Sequence, residues 1–203
     1  MNIPAEYFPL IILLDELQLQ CQLAQLAIER LRKSADAWKH QIPGEGKPLD
    51  IVADCIVCLS AAASIYRLLE PGKREGKKHM VTAKRAKALR RVLYYPPIVQ
   101  IKKQGTRNSW EHIDERLDEV FVNDTYRSFA PVHVATIPPR PETFVHHHFD
   151  PVAFSIKHGE DTLELEALAE ECRLLEDAIL HAHLPLAQGE DGPYPPPQDS
   201  AAG

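Results

Sequence analysis

An arginine, an asparagine and a histidine lie close together in the middle of the chain. Arg107 and Asn108 are adjacent, and His112 follows four residues after the asparagine. Histidine titrates near neutral pH and can therefore move a proton during a reaction. A guanidinium is always charged and offers forked donors to an anion. These residue types suit acid–base chemistry beside a bound anion, so the three residues are candidate catalytic groups.

The segment that carries these residues has the pattern of an amphipathic helix. At about 100° per residue, its apolar positions form one stripe that can pack on a core. The stripe consists of Trp110, Ile113, Leu117, Val120 and Phe121. His112 falls on the opposite side with Asn108, so we expect it to face solvent or a partner. Arg107 and His112 are about 7.5 Å apart along the helix axis and diverge in angle, so one copy assembles a site poorly.

A basic segment precedes and includes Arg107 in a chain whose net charge is −6. Residues 73–107 hold 12 of the 23 Lys and Arg but only one of the 29 Asp and Glu. Such a segment favours a polyanionic partner, although charge alone equally fits a solvated face. The candidate RNA-binding residues are Lys84, Arg85, Lys87, Arg90, Arg91, Lys102 and Lys103.

Four amphipathic or apolar segments predict helices in the first 122 residues. Apolar residues step by three and four from Leu10 to Trp38, and Leu49–Leu69 is apolar nearly all round. A third helix is predicted from about Thr82 to Leu93, and the fourth begins after Thr106. The prediction is a four-helix bundle over residues 1–128. The seam of the first helix is broad enough to touch two neighbours or to form a dimer face.

The remainder of the chain has a different pattern. Val152–Lys157 and Thr162–Leu165 predict a β-hairpin, and Leu163–Leu180 has helical spacing. We therefore expect a mainly α protein in which a hairpin and a C-terminal helix, residues 129–186, follow the bundle. Residues 187–203 are rich in Gly, Pro, Asp and Ser and predict a disordered tail.

The cysteines and the apolar runs indicate a soluble cytoplasmic protein. No run reaches the roughly 20 residues that span a bilayer, and no basic region precedes the apolar start at Phe8. Four cysteines lie in helix-like segments, which suits a reducing compartment. Cys55 and Cys58 form a CxxC pair, which we interpret as core cysteines, with a redox role as the alternative.

Three consecutive histidines, His146, His147 and His148, raise the alternative of metal binding. In a strand, His146 and His148 would share one face, and Asp150 could add a carboxylate. The spacing matches no zinc signature. We therefore predict no metal site and no cofactor.

The Arg-Asn-x-x-x-His pattern at Arg107, Asn108 and His112, placed on a fourth helix, resembles that of the HEPN superfamily. The resemblance covers about residues 8–122. It implies a metal-independent endoribonuclease that acts as a homodimer with two motifs facing each other. In that role His112 would move the proton of the attacking ribose hydroxyl, Arg107 would stabilise the phosphorane, and Asn108 would orient one of them.

The resemblance also leaves other interpretations open. Many HEPN-like domains bind partners without catalysis, and the implied partners include an antitoxin or a nucleotidyltransferase. Five acidic residues surround the motif and would repel a phosphate unless basic groups screen them: Glu111, Asp114, Glu115, Asp118 and Glu119. An unrelated function, with Arg107 paired to Glu111, is the third alternative.

Overall fold

The computed structural model describes a mainly helical chain with one four-stranded sheet. It covers residues 8–40, 48–70, 77–94, 98–103, 118, 122, 128–135, 140, 143–158 and 161–187. The elements in order are α1 (Phe8–His40), α2 (Pro48–Leu69), α3 (Lys77–Val92), β1 (Ser128–Val134), β2 (Thr143–Asp150), β3 (Ser155–His158), β4 (Asp161–Glu164) and α4 (Leu165–Ala187). The predicted mainly α class is confirmed.

The predicted seam of α1 forms one side of the core. Its fully buried members are Leu14, Leu17, Cys21, Ala24, Ile28, Leu31 and Ala35. Helices α2 and α4 pack against this helix. Three polar contacts show that α4 runs antiparallel to it: Asp15 with His183 at 3.1 Å, Gln25 with Glu176 at 2.6 Å, and Arg32 with Glu166 at 2.8 Å. The seam therefore does touch neighbours on two sides.

Helix α2 corrects the expectation that no segment could cross a membrane. Within the described chain, Leu49–Leu69 is the one helix that is long and apolar enough by length and composition. Half of its most apolar window is buried inside the protein, where Ile51, Ile65 and Leu69 join the core. Its Asp54 lies 3.6 Å from Arg30 of α1. Protein therefore covers about half of the apolar surface of α2, while Leu49 and Val57 stay exposed.

All four cysteines are free and buried, which confirms that Cys55 and Cys58 are core residues. Burial raises the pKa of both thiols. Cys21 of α1 hydrogen-bonds Cys172 of α4, and this bond together with burial raises the pKa of the Cys21 thiol. Because the thiolate is the reactive form, Cys21, Cys55 and Cys58 are unreactive in the folded protein.

We therefore expect the native protein to react with a thiol reagent at pH 8 at least about 100-fold more slowly than the urea-unfolded protein. The absorbance of the released chromophore measures the rate, and the unfolded sample supplies the control value of four thiols per chain. A single cysteine that reacted in the native state at the unfolded rate would contradict the buried placement.

The sheet has the strand order β1-β2-β3-β4, with β1 and β2 parallel and the other two pairs antiparallel. One face packs on the helices, because Val132, Phe149, Ile156 and Leu163 belong to the same buried cluster as the α1 seam. Strand β1 occupies an edge, where Pro131, which has no backbone N–H, is tolerated. The sequence pattern did not predict this strand.

The predicted hairpin is present as β3 and β4, but its first strand begins later than expected. Residues 151–154 form a turn, in which the Asp150 carboxylate accepts hydrogen bonds from the backbone N–H groups of Val152 and Ala153, both at 2.9 Å. Phe154 has a φ of 49°, which also ends extended structure. A side chain that bonds its own backbone competes with strand formation, so the hairpin starts at Ser155.

Several expectations concern residues that lie largely outside the described part of the chain. Of the predicted fourth helix, only Asp118 and Val122 are described, and both are helical and exposed. Ala187, the first residue of the predicted tail, is the last residue of α4, and the rest of the tail lies outside the described residues. The predicted boundary at residue 128 coincides with the first residue of β1, and the division into domains stays a prediction.

Candidate nucleic-acid interface

The three candidate catalytic residues, Arg107, Asn108 and His112, lie outside the described residues. Their geometry is therefore not part of this description, and their roles stay predictions. The seven candidate RNA-binding residues are all described. They lie on α3 and on the segment 98–103, which connects α3 to the region of the motif.

Helix α3 has the two faces that its sequence predicts. Ala86 and Leu89 are fully buried, and Leu93 just beyond the helix is buried with them. Lys84, Lys87 and Arg91 recur at helical spacing on the other side and are exposed. We call these three residues the α3 basic face. None of them forms an ion pair within the part of the chain that the structure describes.

Three other candidate residues fasten α3 to its neighbours. Arg85 donates to the backbone carbonyl of Arg67 in α2 at 2.5 Å. Glu70, at the end of α2, accepts from Arg90 at 3.5 Å and from Lys102 at 3.3 Å. One carboxylate thus holds the end of α3 and the segment 98–103 together, so these cations have structural contacts that charge counting does not reveal.

The segment 98–103 is anchored to α4 by a buried carboxylate. Glu171 is 8% exposed and accepts hydrogen bonds from the backbone N–H groups of Gln100 at 2.7 Å and Ile101 at 3.0 Å. The Gln100 side chain accepts from the backbone N–H of Glu164 at 3.1 Å. Because both partners of Glu171 are backbone groups, this anchor does not depend on the side chains of the segment.

Lys103, the last of the seven, lies at the edge of the sheet. Its ammonium donates to the backbone carbonyl of Thr162 in β4, which is the outer strand of the sheet. The segment 98–103 therefore connects the α3 basic face to the sheet. Four of the seven candidate residues have partners inside the protein, although one of these, Lys102, is also exposed, and the three residues of the α3 basic face are turned to solvent.

Two exposed apolar side chains extend the α3 basic face, and the sequence pattern did not single them out. Met80 is 60% exposed and Tyr94 is 67% exposed. Their spacing continues that of Lys84 and Arg91, so they lie beyond the two ends of the basic stripe. Tyr94 has a φ of 54°, in the left-handed region where a helix ends. An exposed aromatic ring beside cations can stack on a nucleic-acid base. The helical spacing of α3, extended three residues beyond Arg91, predicts Tyr94 on this face.

The histidines of β2 are arranged differently from the metal-binding alternative. His146 and His147 are buried, and their rings meet edge to face with centroids 4.5 Å apart. His148 instead pairs with His133 of β1, and their Nδ1 atoms are 3.0 Å apart. Asp150 is engaged in its turn. In the described residues, no group of three or more His, Cys, Asp and Glu is arranged to hold a metal ion.

The His133–His148 pair is half-buried, and its surroundings disfavour protonation of His148. Partial burial, the His133 ring and Lys157 lower the pKa of His148, while Asp150 and a hydrogen bond with the backbone of Ala135 act in the opposite direction. The unfolded chain therefore takes up a proton more readily than the folded one just below pH 6.5, and some stability is lost as the pH falls through that range.

Helix α1 also carries an exposed apolar stripe on its outer side. Ile12, Leu19 and Leu26 are seven residues apart and between 46% and 51% exposed. A seven-residue spacing of apolar groups is typical of helix–helix contacts.

Comparison with known proteins adds no relative: no protein-family model matches the chain, and no curated protein or solved structure matches it either.

Proposed function

We propose that this protein is an RNA-binding, metal-independent endoribonuclease of the HEPN-like type, acting in the cytoplasm. The observation that carries the binding part is the α3 basic face, three cations at helical spacing that are turned to solvent. Cations of this kind attract a phosphate backbone regardless of its sequence. Tyr94 adds an aromatic surface at the end of the same helix.

The cleavage part of the proposal depends on the Arg-Asn-x-x-x-His pattern. His112 would remove the proton from a ribose 2′-hydroxyl, and Arg107 would stabilise the charge that develops on the phosphate. Asn108 would orient His112 or the phosphate. On the helix that the sequence predicts, Arg107 and His112 would diverge, so a homodimer with a four-helix HEPN-like core would bring His112 of one chain to Arg107 of the other. No metal or cofactor takes part.

Incubation of purified protein with mixed RNA in excess EDTA tests the nuclease. We expect the wild type to cleave RNA and to leave cyclic phosphate ends, which gel electrophoresis and mass spectrometry detect. His112→Ala should abolish cleavage while leaving the circular dichroism spectrum and the oligomeric state unchanged. His40→Ala, which alters an exposed histidine of α1, is the matched control and should cleave normally. Equal cleavage by the wild type and His112→Ala would remove His112 from the mechanism.

A non-catalytic HEPN-like module for binding or dimerisation is the second candidate. The exposed stripe Ile12, Leu19 and Leu26 favours it, because an apolar heptad on an outer helix face suits a helical partner. An antitoxin, a nucleotidyltransferase or a second copy of the chain would be such a partner. If neither the wild type nor His112→Ala cleaved RNA at concentrations where the dimer is confirmed, this candidate would replace the nuclease.

A further inference from the structure

A line of basic side chains crosses the sheet from edge to edge. His133 of β1 is in register with His148 of β2, and His148 is in register with Lys157 of β3. Lys157 in turn pairs with Thr162 of β4, whose carbonyl accepts from Lys103. Registered neighbours lie on the same face of a sheet, about 5 Å apart. We call Lys103, Lys157, His148 and His133 the basic row.

The basic row lies on the sheet face opposite to the one that packs in the core, and His146 and Ser155 on the row's own face are also buried. The alternate positions, including Phe149 and Ile156, are buried in the core. Lys157 is exposed, and His133, His148 and Lys103 are half-buried. The row is therefore open to a ligand but partly desolvated, which strengthens the interaction of its charges with an anion.

We propose that the basic row binds a phosphate group and continues the RNA path that starts on the α3 basic face. This inference rests on the proposed RNA binding. Contacts between described residues connect the two surfaces: Arg90 of α3 and Lys102 share Glu70, and Lys103 follows Lys102 and bonds the edge of the sheet. A strand of RNA leaving α3 along this segment would pass the exposed side chains of Val99 and Lys102 before it reaches the row.

The two histidines give this phosphate subsite a dependence on pH. Their Nδ1 atoms, 3.0 Å apart, share one N–H···N hydrogen bond, and such a bond requires that one ring be neutral. Phosphate binds most strongly when both rings are protonated, because each ring then donates as a cation. Binding a phosphate in this state replaces the N–H···N bond by two charge-assisted bonds and takes up at least one proton. Affinity should rise as the pH falls.

The charges around His148 are consistent with a phosphate affinity that rises as the pH falls. Partial burial opposes its protonation, and His133 from β1 and Lys157 from β3 do so too. Asp150 on its own strand favours protonation, but this carboxylate also accepts from two backbone N–H groups in the turn. A bound phosphate would neutralise the repulsion among the three cations and move the His148 titration to higher pH.

The experiment follows the imidazole Cε1–H signals of the full-length protein by NMR from about pH 5 to about pH 8.5, a range that brackets histidine titration. The two probes are inorganic phosphate and a single-stranded RNA of about 16 nucleotides, each compared with chloride at equal ionic strength. His148→Gln assigns the signal, and His181→Gln, an exposed histidine of α4, is the matched control. We also expect the RNA affinity of the wild type to rise about tenfold between pH 8 and pH 6, and His148→Gln to abolish that rise.

The outcomes separate this inference from the function on which it rests. A titration of His148 moved upward by RNA identifies a backbone phosphate as the ligand, and movement by inorganic phosphate alone identifies a free phosphate. RNA that binds without moving the His148 titration, together with no effect of phosphate, overturns the subsite and leaves the proposed function intact. Phosphate binding at His148 with no RNA binding at either pH keeps the subsite and overturns the proposed function.

Discussion

Replacement of Lys84, Lys87 and Arg91 by glutamine together is expected to weaken RNA binding by about 100-fold. Each lost phosphate contact costs about 1 kcal/mol, and about 1.4 kcal/mol corresponds to a tenfold change in affinity. The logarithm of the binding constant should also depend less on the logarithm of the salt concentration, with a slope smaller by about 2 for three contacts to a single strand. Fluorescence anisotropy of labelled RNA at several salt concentrations measures both quantities.

The matched control changes the same number of charges elsewhere. Arg30, Lys33 and Lys39 lie on α1, where each has an acidic partner within 4 Å. Their replacement by glutamine alters the net charge equally but leaves the α3 basic face in place. We expect this control to bind RNA within about threefold of the wild type. If both triple variants lost affinity equally, general charge rather than the α3 basic face would account for RNA binding.

Glu171→Ala is expected to lower the free energy of unfolding by about 3 kcal/mol, the value of two charge-assisted hydrogen bonds. The substitution leaves the backbone N–H groups of Gln100 and Ile101 without their acceptor in a buried environment. Glu171→Gln retains one acceptor oxygen and should lose less. Urea denaturation followed by circular dichroism gives the free energy of unfolding for each variant.

Glu170→Ala, which removes the neighbouring carboxylate on the exposed side of the same helix, is the matched control. Glu170 forms an ion pair with Arg173 one turn along the helix, and because such exposed pairs contribute little, the change in stability should be no more than about 0.5 kcal/mol. A Glu171→Ala variant as stable as Glu170→Ala would show that Glu171 does not hold the segment 98–103. Because that segment carries two of the candidate RNA-binding lysines, Glu171→Ala should also weaken RNA binding, whereas Glu170→Ala should not.

The helices could be predicted because their core residues follow local periodicity. The three- and four-residue steps of α1 and the apolar run of α2 each specify a helix and its buried side. Of the five cations of α3 that the sequence placed outward, Lys84, Lys87 and Arg91 are exposed, whereas Arg85 and Arg90 are half-buried. The hairpin was visible in the alternation of β3 and β4, since their pairing is local, whereas the start of β3 depended on the side chain of Asp150.

The missed features depend on contacts between distant parts of the chain. Strand β1 pairs with β2 across 15 residues, and nothing in a segment that contains Pro131 indicates that partner. The contact between His133 and His148 results from this strand pairing. Without it, the sequence suggested His146 as the histidine that acts together with His148. Glu171 is one acidic residue among several on α4, and only its distance to the backbone of Gln100 distinguishes it. The count of charges likewise suggested that Arg90 and Lys102 are available to bind RNA, although both contact the carboxylate of Glu70.

The antiparallel contact between α1 and α4 has a consequence for the synthesis of the protein. Asp15 and His183 meet although they lie near opposite ends of the sequence, and contacts of such long range form late in folding. On the ribosome, α1 emerges before α4 and keeps part of its apolar seam uncovered until α4 has been translated. The nascent chain is therefore exposed to aggregation or chaperone capture while the residues between α1 and α4 are being translated.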